Sequence, residues 1–271
     1  MKMEKDKVLI NVAPVSGACR DIVPEDIASD VLECARRGAA MVHLHVRAKD
    51  GSLTADTRLL EETLKLIRSQ SDIIIEVSTG GISNLSIKER CAPAFLPLVE
   101  ACSLNVGSTN LGGAAYVNAP DDVEYCARTL LEHHKIPEVE TFEIGHTAAM
   151  AALMAKYDFV KPVLFSIVLG HLGECPATPQ ALAAMAQFIP SGAVWGITHA
   201  HRTDFGIIAQ ALGMGARTVR IGFEDSNYLD REKQVDKNFP LVEKAAKLIR
   251  AMDKEVMTPS EARAFLGIPQ L

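Results

Sequence analysis

The sequence predicts one (β/α)8 barrel, and three observations support it. Runs rich in β-branched residues alternate with helical patterns about eight times over 271 residues, at intervals of roughly 25–35 residues. No Pro/Gly/Ser-rich linker, internal repeat or low-complexity tract breaks the alternation. Polar residues gather where the runs end, and that end of such a barrel carries its chemistry. The expected organisation is a single domain over 1–271 with a short C-terminal helical extension. An open, doubly wound sheet shares the alternation, so closure is the part that the pattern leaves undecided.

The first strand is expected at 8–13, ahead of Pro14. Pro24-Glu25-Asp26 opens a helix that stops at Gly38. Proline suits a first helical turn, acids suit its positive end, and glycine suits the stop. A strand at 41–46 follows, then a helix over 57–68 opened by Asp56, then a strand at 73–78. The fourth strand is expected at 101–106. Pro120-Asp121-Asp122 opens a helix running to about His134. Strands at 138–143 and 163–169 come next. Thr178-Pro179 opens a helix to Phe188 ahead of a strand at 193–198. Asp204 opens a helix to Leu212, stopped by Gly213 and Gly215, and the eighth strand is expected at 218–222. A long helix over 235–252 and a helical turn over 259–266 complete the chain.

Composition excludes several classes. Lys plus Arg total 28 and Asp plus Glu 34, a formal net charge of −6. A protein held to nucleic acid by phosphate contacts needs a basic surplus instead. Aromatic content of 5% with one Trp also argues against a stacking surface for single strands. A hydrophobic fraction of 48% with 23% charged residues excludes disordered and fibrous chains. No apolar run approaches the roughly 20 residues that span a bilayer. The opening MKMEKDKVLINVAP reads as a first strand, not a signal peptide, because its apolar stretch is short and meets Pro14. Cys19, Cys34, Cys91, Cys102, Cys126 and Cys175 show no C-x-x-C spacing. They are too sparse for a disulfide framework, which points to free thiols in a reducing cytoplasm.

The sharpest local signal is His43-Leu44-His45 on the second strand. Residues i and i+2 of a strand share a face, so Met41, His43 and His45 point inward while Val42, Leu44 and Val46 pack outward. Two imidazoles so placed can share one metal ion. His199-Ala200-His201 on the seventh strand repeats the spacing and leaves the assignment open. Arg220, Gly222 and Glu224 share a parity on the eighth strand, which closes beside the first, so Glu224 is within plausible reach of His43 and His45. Two His and one carboxylate with an open position make a catalytic zinc pattern. From spacing alone, Glu224 or Asp225 equally suits a cap or a pairing with Arg220. Ser78-Thr79-Gly80-Gly81 and Gly170-His171-Leu172-Gly173 are glycine-rich strand exits able to offer N–H groups to an anion. His133 and His134 fall at a helix C-terminus, and His146 and His171 read as structural.

Together, Gly38-Ala39-Ala40-Met41-Val42-His43-Leu44-His45-Val46-Arg47, Asp50-Gly51, Ser78-Thr79-Gly80-Gly81, Pro137-Glu138-Val139-Glu140 and Arg220-Ile221-Gly222-Phe223-Glu224-Asp225 resemble the β-keto acid cleavage enzymes. The resemblance covers nearly the whole chain in family order. It implies a zinc-dependent (β/α)8 barrel, usually a homotetramer. Members exchange a β-keto acid with acetyl-CoA, giving acetoacetate and a new acyl-CoA, and the best-known activity is 3-keto-5-aminohexanoate cleavage. Carried over, His43, His45 and Glu224 hold zinc, Asp225 is the base and Arg220 orients it. Ser78, Ser103 and Glu140 match substrate-contacting positions, and Thr79, Gly80 and Asn105 flank them at the same strand ends.

The chain departs from the family pattern at two places. Gly17-Ala18-Cys19 stands where members with amine substrates have Gly-Ala-Glu. His199-Ala200-His201-Arg202 stands where many members have Gly-x-Gly-Arg. Both lie where the variable end of the substrate is expected, so Cys19, His199 and Arg202 join the candidate contacts. An ammonium buried in the mouth needs a carboxylate. Its loss at Cys19, with donors added by Arg20, His199, His201 and Arg202, leads to an expected tail that is neutral or anionic. Two rival functions remain: a metal-dependent aldolase or hydrolase on the same barrel, and a non-catalytic metal or acyl-CoA binding protein.

Overall fold

The computed structural model describes residues 6–271. Residues 1–5, included in the expected domain and in the opening stretch, lie outside the described residues. Eight parallel strands form the barrel: β1 (Lys7–Val12), β2 (Met41–Leu44), β3 (Ile74–Val77), β4 (Ala101–Asn105), β5 (Ile136–Thr141), β6 (Leu164–Leu169), β7 (Val194–His199) and β8 (Thr218–Ile221). Each pairs with the next in sequence, and β8 pairs back onto β1 with Leu9 opposite Thr218 and Asn11 opposite Arg220. The sheet is therefore closed, which removes the open-sheet alternative.

The helices are α1 (Pro24–Arg36), α2 (Arg58–Arg68), α3 (Ile87–Arg90), α4 (Pro120–Glu132), α5 (Ile144–Lys156), α6 (Pro179–Gln187), α7 (Gly206–Gly213), α8 (Phe239–Ala251) and α9 (Pro259–Leu266). Outward strand residues such as Ile10, Val42, Ile75 and Val139 pack on helix residues Val31, Leu64, Leu130 and Ile249 in one apolar shell. Near-continuous burial on both faces is what a parallel barrel imposes on its strands.

Inside, each strand climbs from apolar to polar with period two. Leu9, Met41, Ile74, Ala101, Ile136 and Leu164 form the lower layer together with Met257, Ala262, Leu266 and Ile268, so α9 and the residues beside it plug the N-terminal end. Two positions on, the same strand faces carry buried Asn11, His43, Glu76, Ser103, Glu138 and Ser166. The chemistry thus rests on a sealed apolar floor. Buried Arg263 of α9 locks the plug by donating to Glu100, which Arg68 also contacts at 2.6 Å.

Several boundaries differ from expectation. β5 starts at Ile136 and includes Pro137, because a proline near the start of a strand gives up little of the ladder. The eighth helix begins at Phe239, not 235, with Pro240 in its first turn. α5 was not anticipated: its Ile-Gly-His-Thr-Ala-Ala-Met-Ala-Ala-Leu-Met-Ala-Lys sequence has no side-chain cap and little polar contrast around the helix. The third unit carries only α3 and a 3-10 turn, Ala92–Phe95. A hairpin, Thr109–Leu111 with Ala114–Tyr116, rises after β4 and was also unexpected. Gly112 N donates to Leu172 O at 2.8 Å, tying this hairpin to the loop after β6.

Candidate active site

The chain leaving β8 is steered by glycine. A Cβ on Gly222, at φ +154°, would lie 2.0 Å from Ala13 O, so only glycine lets this segment cross the end of β1. Glu224 N then donates to Ala13 O at 3.1 Å, and Asp225 O accepts from His201 N at 2.7 Å. These backbone bonds set Glu224 over β1 and β2 and place Asp225 beside β7.

Glu224 Oε1 lies 3.2 Å from His45 Nε2 and 3.7 Å from His43 Nε2. One ligand atom from each of the three residues falls within 4.8 Å of the others. Burial lowers the His45 pKa against the pull of Glu224, which favours the neutral, metal-binding imidazole. Burial acts to raise Glu224, but His45, Arg220 and His43 outweigh it and hold the carboxyl well below its usual range. His43 Nε2 is buried with no hydrogen-bond partner. An orphaned nitrogen facing a carboxylate and a second imidazole fits a divalent ion of zinc type, whose usual donors are these. Among the described residues, no such group includes His199 or His201.

Arg220 anchors the other side. It grips Asp225 through two bonds, Nη2 to Oδ1 at 2.6 Å and Nε to Oδ2 at 3.1 Å, and reaches Glu140 Oε1 at 3.1 Å. Burial opposes its charge, yet Asp225, Glu224 and Glu140 together raise its pKa well above the usual value. Glu140 is itself pushed up by burial, with Arg220 opposing. Asp225 is therefore fixed in a fork geometry beside the Glu224 cluster.

Beneath lie two carboxyls that the sequence reading left without a role. Asn11 Nδ2 donates to Glu76 Oε2 at 2.8 Å and Glu138 Oε2 at 3.3 Å. Burial raises Glu76 to about 7 and Glu138 well above its usual range, with Glu76 adding to the latter. The signal was present: an acid at the inward parity of an apolar strand is costly unless it is used or paired.

On the β3 and β4 side, Ser78 Oγ and Ser103 Oγ are 3.2 Å apart, and Asn105 Nδ2 donates to Ser103 Oγ at 3.4 Å. Asn105 Oδ1 is buried and unpartnered. A Cβ on Gly80 would meet Tyr116 Oη at 2.4 Å and Asn105 Nδ2 at 2.8 Å, so glycine is required for this wall to close up. Thr79 faces away: its Oγ1 donates to Ser103 O at 2.8 Å and accepts from Cys126.

A cavity of about 600 Å3 opens between the loops after β6 and β7 and the tip of the hairpin. His171, Glu174, His199 and His201 line it. Burial lowers His171, takes His199 down to about 4 and raises Glu174 to about 8. Arg202 is directed elsewhere than expected. It is fully buried, its guanidinium bonded to Tyr228 O and Ser226 O and stacked 4.4 Å from the Phe205 ring centroid. Among the described residues no acid contacts this buried cation, so it needs these carbonyls and serves the loop after β8. Cys19 turns its thiol to Asp21 O, and Arg20 donates to Gly17 O and Cys19 O, so both are spent within their own loop. His146 is held by Phe142 N and Ser108 O, as a structural residue would be.

A closed barrel with an ionisable cluster at its C-terminal mouth defines the class, a (β/α)8 barrel enzyme. The family model for the beta-keto acid cleavage enzyme matches residues 21–268. The 3-keto-5-aminohexanoate cleavage enzyme of Fusobacterium nucleatum is 34% identical over 247 residues, 90% of this chain and 89% of that protein. The 3,5-dioxohexanoate:acetyl-CoA acetone transferase of Paraburkholderia graminis is 28% identical over 301 residues, 97% of this chain and 96% of that protein. Among solved structures, the ternary complex of ObcA with C4-CoA adduct and oxalate superposes with a TM-score of 0.76 at 18% identity, covering 91% of this chain and 67% of that one. That likeness concerns the fold. The chain belongs to the β-keto acid cleavage enzyme family and is an enzyme that cleaves a carbon–carbon bond.

Proposed function

We propose that this enzyme condenses a β-keto acid with acetyl-CoA, releasing acetoacetate and a new acyl-CoA, at a zinc ion held by His43, His45 and Glu224. The observation that carries the reading is Asp225, clamped by Arg220 next to the Glu224–His45 contact. Zinc bound there would draw charge from the ketone and carboxylate oxygens of the β-keto acid. Asp225 takes a proton from the carbon between those groups, and Arg220 keeps its carboxylate aimed. That carbon attacks the acetyl thioester and expels the CoA thiolate. The thiolate then attacks the former ketone carbon, the carbon–carbon bond breaks, and the acetoacetate carbon recovers a proton from Asp225. Ser78, Ser103 and Asn105 offer hydrogen bonds along the opposite wall, and Gly80 lets that wall pack closely. Release of acetoacetate that requires acetyl-CoA tests the reading, and cleavage without CoA would favour a metal-dependent aldolase or hydrolase.

The metal has its own test. Purified protein is expected to carry about one zinc per chain. His45→Ala should lose it and His201→Ala should keep most of it, as read by elemental analysis. The opposite pattern would move the metal to the seventh strand.

The substrate tail is proposed to be neutral or anionic. Glu140 is committed to Arg220, and burial raises Glu174 to about 8, which leaves it little negative charge to offer an ammonium at pH 7. The cavity beside His171, His199 and His201 is the proposed seat of the tail. Cys19, which replaces the family's amine-binding acid, turns to its own loop and does not line that cavity. In kcat/KM, 3-ketohexanoate or a 3-ketodicarboxylate should exceed 3-keto-5-aminohexanoate. A tenfold preference for the amine would overturn the idea. A homotetramer in the cytoplasm is proposed by family resemblance.

A further inference from the structure

His43 and Glu76 stand opposite each other in the register of β2 and β3, both on inward faces. Their side chains are 1% and 0% exposed, and His43 Nδ1 lies 3.1 Å from Glu76 Oε2. The same carboxyl oxygen accepts from Asn11 Nδ2 at 2.8 Å, one strand further round. The ring is thus flanked by acids on both sides, Glu76 at Nδ1 and Glu224 at Nε2.

We infer that Glu76 is the positioning residue of His43, turning its N–H inward so that Nε2 presents a lone pair to the metal, with Asn11 holding Glu76 in place. This rests on the reading of His43, His45 and Glu224 as zinc ligands. A neutral imidazole carries one N–H, and whichever nitrogen bears it cannot bind a metal. If the N–H sat on Nε2, it would point at Glu224 and block the site. An acceptor fixed behind Nδ1 selects the other tautomer and also stops the ring from flipping. His45 lacks this support, since among the described residues its acid contact is through Nε2 to Glu224 and none lies behind its Nδ1. The two histidines are therefore held unequally, and His43 is the preorganised one. Loss of such a partner behind a ligating histidine typically weakens metal binding 10–100-fold.

The test uses the full chain stripped of metal and titrated with zinc against a chromophoric chelator. Glu76→Gln is expected to bind zinc 10–100-fold more weakly with an unchanged circular dichroism spectrum. Affinity within about threefold of the parent protein overturns the inference, provided His45→Ala loses the metal in the same assay. If His45→Ala keeps its zinc, the zinc site itself is wrong and the inference falls with it. Should Glu76→Gln fail to fold, Glu76→Asp gives the second reading, because it keeps the acid but withdraws it by one methylene. About tenfold weaker binding supports the role, and unchanged binding overturns it. Nitrogen-15 spectra of histidine-labelled, metal-free protein read the tautomer directly. His43 should carry its proton on Nδ1, and a proton on Nε2 would contradict the inference.

Discussion

Asp225→Asn is expected to lower kcat by about 10²–10⁴-fold while zinc content stays unchanged. The amide matches the carboxylate in size but cannot take a proton from carbon. Asp225 follows Glu224 in the chain, but its side chain bonds to Arg220 and, among the described residues, to none of the three proposed ligand side chains, so the metal group should survive. The amide nitrogen would also face the guanidinium, where two oxygens now accept. Steady-state kinetics with elemental analysis on the same sample decide the matter. A variant within a few-fold of the parent protein would remove Asp225 from the chemistry.

Glu100→Ala should destabilise the fold by about 3–5 kcal/mol, because it strands a buried cation. Glu100 is the shared acceptor of Arg68 and Arg263, and it also accepts from Ile75 N at 3.0 Å. Arg263 is 1% exposed and, among the described residues, has only the carbonyls of Asp72 and Pro269 to fall back on. At this chain length the thermal midpoint should drop by roughly 10 °C. Adding Arg263→Met should recover part of the loss, since the uncompensated charge is then gone. Activity measured well below the midpoint should persist, because this cluster lies at the opposite end of the barrel from Asp225. A double variant no better than Glu100→Ala would show that the damage is not electrostatic.

The parts legible in the sequence were those written at short spacing. His43 and His45 declare their shared face by the period of a strand, and Arg220 and Glu224 by the parity of the next closing strand. The count of units pointed to a barrel but left closure open, and the pairing of β8 with β1 decides it. Glu76 and Glu138 were half legible: their inward parity could be read, but not that Asn11 joins them across strands. The cavity beside His171 and Glu174 was not legible, because its walls come from three loops whose approach depends on contacts such as Gly112 with Leu172. Arg202 misled for a plain reason. A cation at a strand end looks like a ligand donor until the fold shows the carbonyls that surround it. α5 escaped because its period is hidden among small apolar residues.

The plug at the barrel floor sets the order in which the chain can mature. Leu9, Met41 and Ile74 are made early, but their cover, Ala262 and Leu266, is made about 250 residues after Leu9. At usual rates of synthesis that is a delay of about 10–50 s, during which the lower core stays open to water and to other nascent chains. Such an interval is when a chaperone would be needed. Lys7 of β1 donates to Glu261 of α9, so β1 and α9 meet at the floor. A circular permutant that begins with α9 and then runs into β1 would deliver the cover first, and it should depend less on chaperones than the parent does.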